Sequence, residues 1–165
     1  MGRRDAVPSR GLRRRRRRRE RQDRVRYFED LEVGQEFRTP GRTLTEADVV
    51  AYAAISGDHE PLDQSRGEPG RPPAVPDLLV LAITSGLGFR VPVVQVPILA
   101  FMAFDWSRLS PVEVGDTIHC RARIAQKRPM KEAGVLVEKR EMVNQRGEVV
   151  QEAEYKLLVA RRPAS

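Results

Sequence analysis

At 165 residues the chain is long enough for one domain with a real core, and its single Cys120 excludes an intramolecular disulfide or a cysteine metal cluster. The formal net charge of +7 sits at one end: residues 1–26 hold 13 Arg against three acidic residues, leaving 17 basic and 20 acidic residues in 27–165. The mildly acidic body therefore argues against a specific nucleic-acid surface, and no apolar run reaches the roughly 20 residues that span a bilayer.

In chain order, residues 1–26 come first. Their core, "RGLRRRRRRRERQDRVR", has no apolar stripe to bury, so self-repulsion predicts a disordered, solvated tail. The segment also lacks the apolar stretch of a secretion signal, so a soluble, cytoplasmic protein is expected. Residues 27–165 read as a single α+β domain without internal repeats.

"TLTEADVVAYAAISG" is a helix with both ends marked. Thr45 caps its first N–H groups, Asp48 suits the first turn, and Gly57 stops it. Val49, Tyr52 and Ala53, with Ile55 or Ser56, form its apolar face. The Gly/Pro-rich "SRGEPGRPPAVP" then excludes regular structure up to Pro76. "DLLVLAITSGLGF", residues 77–89, is apolar all round, which predicts a helix buried on every side, with Asp77 as N-cap and Gly86 or Gly88 as stop.

After Pro97 the period changes to two. "ILAFMAFDWSRL" is mostly apolar, while "DTIHCRARIAQ" sets Ile118, Cys120, Ala122 and Ile124 on one face. "GVLVEKREMV" and "EVVQEAEYKLLVA" are joined by the hairpin loop "NQRG", and the last strand aligns Ala153, Tyr155, Leu157 and Val159. A long antiparallel meander after one wholly apolar helix buries that helix most simply by curling around it. That is the hot-dog arrangement, which commonly dimerises.

Five phrases in order, "YFEDLEVGQEF", "TLTEADVVAYAAISGD", "LLVLAITSGL", "SPVEVGDTI" and "NQRGEVVQEAEYKLLVARR", resemble the MaoC-like dehydratases, the family of (R)-specific enoyl-thioester hydratases. The resemblance covers residues 27 to about 162. It implies an acyl-CoA or acyl-carrier-protein thioester as substrate, a homodimer or a heterodimer with a sister subunit, and no cofactor. In that family the loop after the first helix reads Gly-Asp-x-Asn-Pro-Leu-His, and its Asp and His activate one water. In "SGDHEPLD" the residues Gly57, Asp58, Pro61 and Leu62 match, whereas Glu60 replaces the Asn and Asp63 replaces the His.

The resemblance thus implies Asp58 and Asp63 as the catalytic pair, with Glu60, His59, Asp77 and Leu78 around the substrate. An ordinary Asp, with a pKa near 3.9, is a poorer acid or base at neutral pH than an imidazole. Crowded carboxylates raise one another's pKa when buried together. His59 reads otherwise as an exposed polar residue and His119 as part of an Arg-bearing strand face. At the apolar helix the family shows His-Gly, so that a backbone N–H and the helix dipole meet the thioester oxygen. Here Pro76 and Asp77 stand in those places: one has no N–H and the other brings an opposing charge.

Three readings follow. The first is a hydro-lyase on an enoyl or 3-hydroxyacyl thioester with an altered pair. The second is a non-catalytic hot-dog subunit that binds acyl groups or completes a heterodimer, and the third is a hot-dog thioesterase. No nucleotide-binding glycine loop, metal-ligand cluster or Ser-His-Asp spacing points elsewhere.

Overall fold

The computed structural model describes residues 25–62, 73–91 and 96–163. The Arg-rich run up to Arg24, Asp63 and the loop from there to residue 72 lie outside the described residues.

Three long strands form the centre of the sheet: β4 (Thr117–Pro129), β5 (Ala133–Val143) and β6 (Val149–Ala160), each antiparallel to the next. Their alternation puts one apolar set on a common inner face. The register pairs Cys120 with Met142 and Leu136 with Leu157, all buried. The β5–β6 hairpin closes through Gly147 at φ 83°, and Asn144 Oδ1 accepts from the N–H of Arg146 and of Glu148, each at 3.0 Å. Buried Asp116 braces the same turn. Burial pushes its carboxyl up, but the Gln145 amide, the Glu113 N–H and Arg146 outweigh that and hold it below its ordinary value.

Two short strands, β1 (Glu36–Arg38) and β2 (Arg42–Thr43), add to β4. They are three and two residues long, so no periodicity announced them. β3 (Ile98–Arg108) pairs with β6, giving the order β1-β4-β5-β6-β3. At the far end Phe28 lies so close over Gly134 that a Cβ there would overlap its ring.

The first helix, α1 (Glu46–Ser56), has the ends that the sequence marked. Thr45 and Asp48 form a capping box, and Gly57 closes the helix at φ 77°. Burial alone would raise the Asp48 carboxyl, yet Thr45 and the Arg42 guanidinium hold it below its ordinary value. Val49 and Ala53 are buried and Tyr52 packs on the core, but Ile55 is 88% exposed and does not belong to the apolar face.

The second helix, α2 (Asp77–Gly88), lies against the curled sheet on the β4 side, as the hot-dog arrangement requires. Two expectations about it are corrected. Its N-cap is Pro76, in extended backbone, and Asp77 is the first helical residue with no capping bond. Nor is the helix buried on every side within the protomer. Leu79, Val80, Thr84 and Leu87 face the core, while Leu78 is 53% exposed and Phe89, just past the end, is 75% exposed. β3 shares this character: Ile98, Leu99, Phe101, Met102 and Phe104 are all about half exposed along the edge of the sheet. All-round apolarity reported the absence of a water-facing stripe, and one chain buries only part of it.

Candidate functional site

The loop that carries the catalytic expectation begins where α1 stops. Gly57 turns left-handed, with its N–H on Ala53 O at 2.9 Å, and throws the chain outward. Ser56 Oγ donates to Tyr52 O at 2.7 Å and accepts from the Asp58 N–H at 3.1 Å. Asp58 Oδ1 accepts from the Glu60 N–H at 3.3 Å, and helical backbone resumes over residues 60–62, with Leu62 N–H on His59 O at 3.0 Å. Asp58 thus shapes its own turn with one carboxylate oxygen, while the other accepts no hydrogen bond among the described residues. Asp58, His59 and Glu60 are all exposed. Asp63, the expected partner, lies outside the described residues.

Asp77 has a different setting. Its Oδ2 lies 3.2 Å from Arg108 Nε of β3. Gln151 Nε2 of β6 donates to the Asp77 carbonyl at 3.0 Å and to Oδ1 at 3.4 Å. Gln151 is 0% exposed, and its Oε1 accepts from Trp106 Nε1 at 3.2 Å. An indole nitrogen only donates, so that contact fixes which end of the Gln151 amide faces Asp77. Arg108 and Gln151 are direct cross-strand neighbours. The carboxylate expected to oppose charge at the helix end is therefore drawn to the sheet. Among the described residues the backbone N–H groups of Asp77 and Leu78 have no hydrogen-bond acceptor, as is usual for the first groups of a helix.

His119 is apart from both clusters, on the outer sheet face. Burial first, then the Arg38 and Arg121 charges, push its pKa below the ordinary 6.5, so it is a neutral imidazole at pH 7. Cys120 is pushed up to about 11 by burial, which keeps it a thiol and unsuited to nucleophilic work. The inner face of β5 carries an ion pair: Arg140 Nε and Nη2 donate to Glu138 Oε2 at 3.0 and 2.7 Å, and the guanidinium lies 4.0 Å from the centre of the Tyr155 ring.

Sequence reasoning missed Arg108, Gln151 and Trp106. One signal was present: Gln151 falls in the inward register of β6 with Ala153, Tyr155, Leu157 and Val159, where a polar residue must have a buried partner. Among the described residues no group of three His, Cys, Asp or Glu side chains is placed to hold a metal, and no helix is long and apolar enough to cross a membrane.

Comparison with known proteins agrees with this architecture. The profile of the MaoC like domain matches residues 29–146. A 3-hydroxybutyryl-CoA dehydratase of Methylorubrum extorquens is 31% identical over 108 residues, covering 62% of this chain and 66% of that protein. Protein MaoC of Klebsiella aerogenes is 56% identical over 34 residues, 21% of this chain and 10% of that one. The chain thus spans under two thirds of either curated relative. A crystal structure of the MaoC-like dehydratase from Rhodospirillum rubrum superposes with a TM-score of 0.71 at 26% identity, covering 84% of this chain and 99% of the other.

Proposed function

Because the chain belongs to the MaoC-like domain family, we propose that it is a hydro-lyase that adds water to, or removes it from, an acyl thioester carried on CoA or a carrier protein. The observation that carries this reading is Asp58: a carboxylate held by its own turn just after the helix-ending Gly57, exposed, with one oxygen that accepts no hydrogen bond among the described residues. In the hydration direction that oxygen takes a proton from water while the water oxygen bonds to C3 of the enoyl thioester. The electron pair of the C2=C3 bond moves toward the thioester oxygen, and C2 then takes a proton. The N–H groups of Asp77 and Leu78 are the donors for that oxygen. Asp63 takes the second catalytic position, and His59 and Glu60 line the approach.

A non-catalytic subunit is the second reading, favoured by Asp58 also serving as a turn former and by Asp63 in place of an imidazole. Incubation of the purified chain with crotonyl-CoA and longer enoyl thioesters separates the two. The hydro-lyase reading predicts loss of the conjugated enoyl absorbance with turnover. No turnover on any CoA or carrier-protein thioester would leave the subunit reading.

The half-exposed apolar residues of β3 and the open side of α2 support a homodimer joined at the β3 edge. Sedimentation at micromolar concentration is expected to give a dimer, and a monodisperse monomer would overturn this.

A further inference from the structure

We propose that Arg108 is a positioning residue of the thioester site, offsetting the charge that Asp77 brings to the start of α2 so that the helix end can stabilise negative charge on the thioester oxygen. The inference rests on the hydro-lyase reading. It starts from a conflict: an anion at the first position of a helix occupies the positive potential of the helix end, which an oxyanion would need.

The contacts remove the conflict without removing the Asp. Both carboxylate oxygens are engaged from the side by the sheet, Oδ2 by Arg108 and Oδ1 by Gln151. The buried amide is locked by Trp106 Nε1, so it cannot reverse and present its oxygen to the carboxylate. Arg108 and Gln151 sit opposite each other on adjacent strands, so two neighbouring inner-face positions serve one helix residue. The Gln151 amide is neutral and orients the carboxylate, whereas Arg108 alone supplies a compensating charge. The N–H groups of Asp77 and Leu78, which have no acceptor among the described residues, then lie beside an approximately neutral pair instead of a bare anion. Arg108 acts through Asp77 and takes no part in proton transfer.

The test uses the full chain and the variants Arg108→Gln, Arg108→Lys and Arg108→Gln with Asp77→Asn. Loss of the Arg108 charge is expected to lower kcat on crotonyl-CoA by about tenfold or more, with KM within about threefold, because the lost interaction belongs to the transition state. Arg108→Lys, which keeps the charge, should retain most of the turnover. The double variant removes the offending anion too and should recover most of what Arg108→Gln lost. A role confined to folding predicts no such recovery. A double variant as slow as Arg108→Gln, or Arg108→Gln equal to wild type, overturns the inference. So does a rise in KM with kcat unchanged, which would make Arg108 a direct substrate contact.

A second readout separates this inference from the activity it rests on. Acetoacetyl-CoA loses a C2 proton to give an enolate whose negative charge is shared between the ketone and thioester oxygens, and its binding requires no hydration chemistry. Its Kd is expected to weaken by about tenfold in Arg108→Gln and to recover in the double variant. If wild type hydrates nothing but shows this binding pattern, the hydro-lyase reading and its kcat arm fail, while the charge-offsetting role of Arg108 at the helix end is upheld for thioester binding. Failure to bind acetoacetyl-CoA, or binding indifferent to Arg108, sinks the inference.

Discussion

Asp58 and Asp77 each stand at the start of a stretch of helical backbone, yet the protein treats the two carboxylates oppositely. Asp58 is exposed and, among the described residues, bonds within its own turn to groups two residues away. Asp77 is gripped from two strands, and its Gln151 partner lies 74 positions further along the chain. The local arrangement leaves an oxygen free to accept a proton. The tertiary one occupies both oxygens, making that carboxylate part of the scaffold. Residue type therefore does not decide which acid is left open; the origin of its partners does.

The comparison can be pressed from both sides. Apart from the loss of Asp58 itself, the largest effect is expected in the loop. Asp63→His with Glu60→Asn restores the family's imidazole and amide beside Asp58, and hydration of crotonyl-CoA should rise by about tenfold or more. Unchanged turnover would mean that the second loop position does not transfer protons. At the scaffold end, Gln151→Leu keeps approximate size but strands Trp106 Nε1 and one side of Asp77. Both partners are part-buried, so each lost bond costs about 0.5–1.5 kcal/mol and the melting temperature should fall. A variant as stable as wild type would show that the clamp is incidental. The smallest effect completes the contrast: Asp58→Asn is an exposed change that keeps an acceptor, so urea unfolding should shift by less than about 0.5 kcal/mol.

Legibility in the sequence followed the same division. The ends of α1 were readable because Thr45, Asp48 and Gly57 act on backbone within a few residues of themselves. The long strands were readable by their period of two, and the inner-face residues Ile118, Cys120, Tyr155 and Leu157 are buried as that period requires. β1 and β2 were not, because two or three residues become a strand only when β4 supplies the partner. The N-cap expected at Asp77 failed because Arg108 and Gln151, invisible to any local window, compete for that side chain. Ile55 follows the α1 register only approximately and ends in solvent. Of the candidate site, Asp58 was nominated only through the family resemblance of its loop. The clamp on Asp77 needed the sheet register, since Gln151 meets Arg108 only once β6 pairs with β3.

The most direct test of the account compares wild type with Asp58→Asn in steady-state hydration of crotonyl-CoA at neutral pH. The substitution keeps size and one acceptor but removes the proton acceptor, so the account predicts a fall in kcat of roughly two orders of magnitude or more. A robust wild-type rate left untouched by Asp58→Asn would contradict it.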